Sequence, residues 1–296
     1  MRRDCDTASS VVIGFVVLLM LIALAIGIWA LISLPGELKE AESSHAIALS
    51  NAFLDMKLSM DKVRVSEETN LNLSGARFSM LMPGSSGMAG TTIGFEKDVG
   101  KLEMSWSGGE SGLSPNSPFG DTGKSVDRIF AQVGGTRGST VIGYEGGGVF
   151  RSDNGNAVWL TPGLLEVYPD ESEDGIVRVD LVVVNLTGEA AVSSNWGVPL
   201  DCVFVERKDT PVGPQNRTLE ISFSGGDAEQ IRLWYALFYE AKIRYEKYNN
   251  SVSNMVTAKI DSNRTTLTID GTDTNRVKVS IREATYDVSL VNRYES

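Results

Sequence analysis

The longest apolar stretch of the chain lies near its N-terminus. It runs from Val11 to Leu34, 24 residues without a charged side chain. A helix that crosses a bilayer needs about 20 such residues at ~1.5 Å each, so the stretch predicts a membrane-spanning helix within residues 1–34. A secretory signal peptide has a shorter apolar core and then a small-residue cleavage site. Leu34-Pro35-Gly36-Glu37 is a poor cleavage site, which favours a retained anchor.

A second helical pattern follows over residues 35–65. We expect Pro35-Gly36 to break or kink the first helix at the membrane surface. Apolar residues then recur mostly at spacings of three and four, which is typical of an amphipathic helix. This stripe consists of Leu38, Ala41, His45, Leu49, Ala52, Phe53, Met56, Met60 and Val63, and the opposite polar face includes Ser50 and Lys57. The stripe is expected to dock on the following domain; docking on a neighbouring copy of the chain is the alternative.

From about Ser66 the pattern changes to short alternating and β-branched runs, separated by Gly, Asn, Asp and Pro. The fold is therefore predicted to be mainly β, with an N-terminal α-helix. Residues 66–296 should form a β-sandwich or a partly open barrel, as one domain or two subdomains. Residues 83–125, rich in Gly, Ser and Pro, indicate a surface excursion or a flexible insertion. The predicted strands are Arg77–Leu81, Lys101–Ser107, Ser139–Tyr144, Val149–Arg151, Val158–Leu160, Leu165–Tyr168, Ile176–Val184, Cys202–Glu206, Thr218–Phe223, Val256–Ile260, Thr265–Ile269, Arg276–Ile281 and Thr285–Leu290.

One helix interrupts the predicted strands. Asp227 is a suitable N-cap, and Gln230 three residues later completes a capping box. The apolar and aromatic face of this helix consists of Ile231, Trp234, Tyr235, Phe238, Ala241 and Tyr245. Such a face packs over the end or edge of a sheet; the alternative is a surface that binds a carbohydrate or a partner protein.

Charge and cysteine positions agree with an anchored exterior domain. The formal net charge is −11, and it lies wholly on residues 35–296, because Arg2 and Arg3 cancel Asp4 and Asp6. Such a surface repels phosphate backbones, which argues against nucleic-acid binding. The positive-inside rule places the N-terminus in the cytoplasm and residues 35–296 outside.

Two further features bear on an exported domain. Cys5 and Cys202 lie on opposite sides of a spanning helix and cannot pair, and we expect Cys202 to be a buried thiol. Five Asn-x-Ser/Thr sequons are candidate glycosylation sites if the domain is exported. They begin at Asn72, Asn185, Asn216, Asn249 and Asn263.

The segment Ala8-Ser9-Ser10-Val11-Val12-Ile13-Gly14-Phe15-Val16 resembles the start of archaeal type IV pilin-like proteins. That resemblance implies cleavage by a membrane peptidase between Ala8 and Ser9, and a mature helix that packs with copies of itself or with other pilin-like subunits. Two positions depart from the family pattern: Thr7 replaces a basic residue and Val11 replaces a proline. An uncleaved anchor is the alternative.

A second resemblance lies in Tyr144-Glu145-Gly146-Gly147-Gly148-Val149, which looks like a strand-turn of large archaeal surface proteins with a pilin-like leader. It implies a β-rich exterior at the cell surface. It carries no chemistry with it.

Candidate catalytic and ligand-binding motifs are weak. His45 is the only histidine, so any His-dependent catalytic arrangement must use it, and its expected place beside the membrane, away from the β-domain, favours packing. Pro118-Phe119-Gly120-Asp121-Thr122-Gly123-Lys124-Ser125 lacks the first glycine of a phosphate-binding loop. Three acidic loops, at Asp153–Asn156, Asp170–Gly175 and Asp270–Asp273, are solvated turns or weak calcium sites. We therefore expect no catalytic residue, no metal site and no cofactor.

Together these patterns predict a single-pass membrane protein of the cell surface, structural or interacting in role. The lipid bilayer is an expected partner. The resemblance to archaeal pilins implies that the protein is a minor pilin or an adhesin-type subunit. The alternative is a membrane-tethered binding module for a carbohydrate, calcium or a surface partner. An exported hydrolase has no motif behind it.

Overall fold

The computed structural model describes residues 4–67, 73–83, 91–108, 118–119, 123–135, 138–173, 175–189, 191–194, 197–249, 255–272 and 274–290. Within them the chain forms two helices and fourteen strands. The helices are α1 (Asp4–Glu67) and α2 (Ala228–Asn249). The strands are β1 (Arg77–Met82), β2 (Thr91–Ser107), β3 (Lys124–Gly135), β4 (Gly138–Glu145), β5 (Gly148–Asp153), β6 (Asn156–Thr161), β7 (Leu165–Pro169), β8 (Ile176–Glu189), β9 (Ala191–Ser194), β10 (Val198–Gln215), β11 (Thr218–Ser224), β12 (Val256–Ile260), β13 (Arg264–Ile269) and β14 (Arg276–Leu290).

Helix α1 is one continuous helix, so a break at Pro35-Gly36 is wrong, whereas the kink expected there as the alternative stays a prediction. Proline removes one backbone donor and crowds the preceding turn, which weakens a helix locally. The turns before and after Pro35 are nevertheless helical, and the apolar run continues directly into the amphipathic pattern. Among the residues whose side chains are described, no helical stretch combines the length and apolar character needed to span a bilayer.

The second half of α1 packs on the β-strands, which confirms the predicted docking of its apolar stripe. Leu49, Phe53, Met56 and Met60 are almost completely buried. Ser50, predicted on the polar face, is buried instead, and its hydroxyl donates to the Ala46 carbonyl oxygen at 2.8 Å. A serine can satisfy its hydroxyl on the preceding turn of its own helix, so burial leaves no polar atom unpaired.

The strands form two curled sheets, and the protein is mainly β as predicted. The first sheet has the order β1-β10-β14-β8-β7. The second has the order β12-β13-β11-β2-β3-β4-β5-β6, and β9 also pairs with β2. Strands β8 and β14 pair in parallel, whereas the other strand pairs that the structure describes are antiparallel.

Two hydrophobic clusters lie on opposite faces of the β8–β14 pair. The cluster under α2, here the α2 cluster, contains Val177, Val179, Leu181 and Val183 of β8, and the cluster under α1, here the α1 cluster, contains Val182, Val184 and Leu186. Successive residues of a strand point to opposite faces, so the odd-numbered residues of β8 enter one cluster and the even-numbered residues enter the other. Strand β14 divides its residues between the two clusters in the same way. Burial on both faces explains why β8 is the most apolar strand of the sequence.

Each predicted strand overlaps a strand of the structure, but several bounds differ, most of all for β10, which runs from Val198 to Gln215 instead of the predicted Cys202–Glu206. Strands β3 and β9 were not predicted. Strand β2 begins at Thr91, inside the region 83–125 that was expected to be an excursion or a flexible insertion. The two strands predicted between Arg276 and Leu290 are one strand, β14. Residues 84–90, 109–117 and 120–122 of that glycine-rich region lie outside the described part of the chain.

Candidate functional site

Residues 15–29 of α1 expose apolar side chains on every side of the helix. From Phe15 to Trp29 each residue is exposed, and Phe15, Met20 and Trp29 expose 60%, 70% and 65% of their surface. Each residue turns a helix by about 100°, so fifteen consecutive residues cover its whole circumference. A helix that is apolar all round is typically buried in a large core or in a membrane.

The predicted processing residues Ala8 and Ser9 lie in the first turns of α1. They precede the exposed apolar segment on the same helix. The structure describes their backbone but not their side chains, so cleavage between them stays a prediction.

His45 lies where α1 reaches the β-sheets. Its Nε2 atom is 2.6 Å from the Thr91 hydroxyl at the start of β2. The expectation that His45 lies away from the β-domain is therefore wrong, because α1 docks there instead of standing clear of it. Burial lowers the pKa of His45 below its usual value of 6.5. The histidine is thus a packing residue at the junction, which agrees with the predicted role.

The N-terminus of α2 has the predicted capping box. The Asp227 carboxylate accepts hydrogen bonds from the Glu229 and Gln230 backbone N–H groups at 2.9 and 2.8 Å. In return, the Gln230 side-chain oxygen accepts the Asp227 N–H at 3.1 Å. The Gln230 amide nitrogen remains available, and it donates to Glu145 at 3.1 Å.

Glu145 is a fully buried carboxylate at the end of β4. It accepts a second hydrogen bond from the Trp234 indole N–H at 2.7 Å. Burial raises the pKa of Glu145, and the two hydrogen bonds and the nearby Arg128 only partly oppose this effect. Arg128 is its cross-strand neighbour on β3. Glu145 therefore fixes the position of α2 relative to β4.

Trp234 is the centre of an aromatic group under α2. It stacks on Phe223 with ring centroids 4.6 Å apart, and Trp159 meets its edge at 6.3 Å. Gly146 follows Glu145 with a φ of 55°, and a Cβ there would lie 2.6 Å from Trp234 Cζ2. Five of the six residues of the predicted apolar face are buried, and Tyr235 is half-buried. That face packs on the sheets, so its alternative role as a binding surface is wrong.

An open cleft lies between β7 and the C-terminal end of α2, with a volume of about 670 Å³. Its walls carry two tyrosines and side chains of both charges: Glu166, Tyr168, Glu171, Arg244, Lys247 and Tyr248. The Tyr168 hydroxyl donates to Asp180 at 2.7 Å, which fixes its ring. Burial and this carboxylate raise the pKa of Tyr168 to about 12. Sequence reasoning missed the cleft because its two walls are far apart in the chain.

The candidate glycosylation residues are spread over the exterior. Asn216 and Asn263 are exposed, in the turns before β11 and β13. Asn185 is half-buried within β8, and Asn249 is the last residue of α2. Asn72 lies outside the described residues. The two turn positions are therefore the most accessible sequons of those that the structure describes.

The acidic loops use their carboxylates internally. Asp153 accepts hydrogen bonds from Arg151 and Thr140, and Asp170 accepts two from Ser172. The Ser172 hydrogen bonds hold the pKa of Asp170 below its usual value. Asp174 and Asp273 lie outside the described residues. Over the part of the chain that is described, no three Asp, Glu, His or Cys side chains come together as metal ligands.

Two other predictions concern single residues. Lys124 of the phosphate-loop-like segment begins strand β3 and forms an ion pair with Glu283 at 2.8 Å, whereas a phosphate-binding loop leads into a helix. The segment therefore lacks the geometry of a phosphate site. Cys202 is a completely buried thiol, as predicted, and burial raises its pKa to about 12.

The fold and these sites define a class of protein: two curled β-sheets that pack on one long helix, whose residues 15–29 are exposed and mostly apolar. The chain belongs to DUF7289, a family of unknown function whose model matches residues 8–278. The matched region includes both the apolar helix and most of the β-strands. No curated protein and no solved structure matches the chain.

Proposed function

We propose that this protein is a membrane-anchored structural or interaction protein of the cell surface, similar to archaeal type IV pilins. The apolar half of α1 lies in the bilayer or packs against other pilin-like helices. The two sheets form a β-sandwich on the outer side. The observation that carries the proposal is the exposed apolar surface from Phe15 to Trp29 on a helix whose other half is docked.

The length of the apolar run supports an anchor. Val11 to Leu34 would extend about 36 Å as a helix, which exceeds the ~30 Å of a hydrocarbon core. Water is a poor solvent for such a surface, and soluble monomers rarely expose large contiguous apolar patches. Lipid and a second apolar helix are both suitable surroundings.

The docked half of α1 sets the distance between the membrane and the sheets. Ala46, the first buried residue of α1 among those whose side chains are described, lies twelve positions after Leu34, and twelve helical steps extend about 18 Å. A short helical stalk therefore holds the exterior domain near the surface. Arg2 and Arg3 before the run place the N-terminus in the cytoplasm, by the positive-inside rule.

Membrane fractionation with matched arginine substitutions tests the anchor. Ile22→Arg puts a charge in the middle of the apolar segment, at an insertion cost of about 2.5–3.5 kcal/mol. We expect carbonate-washed membranes to retain less of this variant than of the wild type. Leu58→Arg is the control, because Leu58 is 52% exposed on the docked half of the same helix. Release of the wild type itself by the carbonate wash would exclude the proposed anchor.

The N-terminus of the mature protein distinguishes a pilin-like subunit from a plain anchor. Mass spectrometry of protein purified from membranes should find Ser9 as the first residue if the peptidase acts after Ala8. An intact N-terminus would show that the anchor is not processed, and it would remove the main support for assembly into filaments.

A second candidate function is a membrane-tethered binding module. The cleft between β7 and α2 favours it, because a few polar groups and aromatic rings converge there in a volume typical of ligand sites.

A further inference from the structure

We infer that the cleft between β7 and the end of α2 binds a neutral saccharide. The inference deepens the second candidate function, and it depends on the membrane anchor only for placing the cleft outside the cell. Four features of the cleft carry it: its size, its balanced charge, its unpaired polar side chains and its two tyrosine rings.

The size and position of the cleft suit a small chain of sugar rings. Its volume of about 670 Å³ lies inside the ~300–1,000 Å³ range of small-molecule sites. One wall is strand β7, which is paired on one side with β8, and the other wall is the last two turns of α2. Apart from Glu171, which lies in the turn after β7, the charged and aromatic residues of the walls lie on regular elements, so the cleft is largely formed without a ligand.

The charges that line the cleft cancel. Glu166 and Glu171 oppose Arg244 and Lys247, so neither a strongly anionic nor a strongly cationic ligand is favoured. A carboxylate only accepts hydrogen bonds, whereas a guanidinium or an ammonium group only donates them. A sugar hydroxyl does both, so a ligand rich in hydroxyl groups matches a cleft with acceptors and donors side by side.

Some of the polar residues that line the cleft have partners within the protein, and others have no ion-pair partner among the described residues. Arg244 pairs with Glu240 on the preceding turn of α2, and the Tyr168 hydroxyl donates to Asp180. Glu166, Glu171 and Lys247 form no ion pair among the salt bridges of the described part of the chain. They are therefore available to a ligand without breaking an existing contact.

The two tyrosines supply apolar faces. Tyr248 exposes 71% of its surface at the end of α2, which is a large fraction for an aromatic side chain. The Tyr168 ring is held in place by its hydrogen bond to Asp180. Tyrosine combines an apolar ring with a polar hydroxyl, and the ring face suits the C–H face of a pyranose.

The test is binding of purified full-length protein in detergent to a panel of oligosaccharides. The neutral members are hexose and N-acetylhexosamine oligomers, and the charged members are uronic-acid and sulfated oligomers. We expect the wild type to bind neutral members. Tyr248→Ala should weaken that binding about tenfold, the equivalent of losing ~1.4 kcal/mol of stacking and burial.

Tyr239→Ala is the matched control. Tyr239 is on the same helix and 45% exposed, but it lies nine residues from Tyr248 and does not line the cleft. It should bind as the wild type does, and unchanged thermal unfolding of both variants shows that the fold is intact. Glu166→Gln, which keeps the shape of the side chain, should weaken binding severalfold because an amide is a weaker acceptor.

Three results would overturn the inference. They are no binding to any neutral oligosaccharide, binding confined to the charged members, and equal loss in Tyr248→Ala and Tyr239→Ala. None of these results would contradict the proposed membrane anchor, since the assay uses protein already removed from the membrane. Loss of membrane retention in the wild type would likewise leave the cleft unaffected.

Discussion

Helix α1 and helix α2 both pack on the sheets, but different kinds of contact hold them. The docked half of α1 inserts Leu49, Phe53, Met56 and Met60, each at most 1% exposed, into the α1 cluster. Its polar contacts with the sheets include a hydrogen bond that the Tyr286 hydroxyl donates to the Met60 carbonyl oxygen at 2.6 Å and the contact of His45 with the Thr91 hydroxyl. Apolar burial is non-directional and scales with area, so α1 depends mainly on how much surface it covers.

Helix α2 is held by directional contacts as well. Gln230 both completes the capping box and donates to Glu145, and Trp234 donates to the same carboxylate. Hydrogen bonds to a buried charged group fix orientation as well as distance. The difference teaches that α1 completes a hydrophobic core of the sheets, whereas hydrogen bonds also fix the rotation of α2 about its own axis.

The largest effect should come from removing α1. Burial of each of its four large side chains contributes about 1.5–3 kcal/mol, and a whole domain is stable by only ~5–15 kcal/mol. A fragment of residues 66–296 should therefore fail to unfold cooperatively in urea, whereas a fragment of residues 40–296 should do so. Similar cooperative transitions in the two fragments would show that α1 is not part of the core.

The next effect concerns one side chain of α1. Phe53→Ala leaves a cavity in the α1 cluster and should lower the free energy of unfolding of the 40–296 fragment by about 3–5 kcal/mol. Leu58→Ala, at a half-exposed position on the same turns, should change it by less than ~0.5 kcal/mol. Equal losses in urea titrations of the two variants would mean that the stripe is not docked in solution.

A smaller and pH-dependent effect is expected at α2. Because burial raises the folded-state pKa of Glu145 above its usual 4.5, the folded protein keeps this proton when the unfolded chain releases it. The contribution is therefore fully present below pH ~4.5 and is lost as pH rises through the folded-state pKa. Glu145→Gln cannot titrate, so the stability of the wild type relative to this variant should fall with rising pH.

The exposed carboxylate Glu171 provides the comparison for that experiment. Urea titrations of wild type, Glu145→Gln and Glu171→Gln at several pH values separate the buried group from the general effect of an acidic surface. A constant difference between wild type and Glu145→Gln across the range would show that Glu145 does not change its protonation there.

The smallest effect is expected at the junction of α1. Partial burial lowers the folded-state pKa of His45, so its contribution is present above the usual value of 6.5 and is lost as pH falls through the folded-state pKa. His45→Gln removes this titration while keeping a polar side chain beside Thr91. Thermal unfolding between pH 7.5 and 5 should show a slightly steeper acid loss in the wild type; parallel curves would contradict the assignment.

Local patterns predicted both helices and their buried faces. The three- and four-residue spacing around Phe53 and the Asp227–Gln230 capping box are short-range signals, and the structure contains both. The start of β2 was not predicted because Gly94 and a bulge between Glu96 and Gly100 interrupt the alternation of apolar and polar residues along the strand. Asp98 within this bulge has a φ of 54°. A bulge changes which face a residue occupies, so the periodic signal disappears where it occurs.

The cleft between β7 and α2 and the Glu145 contacts could not be predicted, for a different reason. Glu166 and Tyr168 belong to β7, whereas Lys247 and Tyr248 end α2, about 80 residues later. Nothing in either segment identifies the other as its neighbour. Glu145 is similarly distant in sequence from Trp234, and its acidic side chain favours a surface position when it is considered alone.

The parallel pairing of β8 and β14 has a consequence for how the molecule forms. Arg276 pairs with Ile176, a hundred residues earlier, and β14 lies between β8 and β10 in the first sheet. Contacts of such wide sequence separation slow folding, since a long loop must close before they are made. The central strand, β14, is also the last strand of that sheet to be synthesised, so the sheet stays incomplete during translation. Helix α1 precedes all the strands, and its apolar half can therefore enter the bilayer that we propose for it before the sheet is complete.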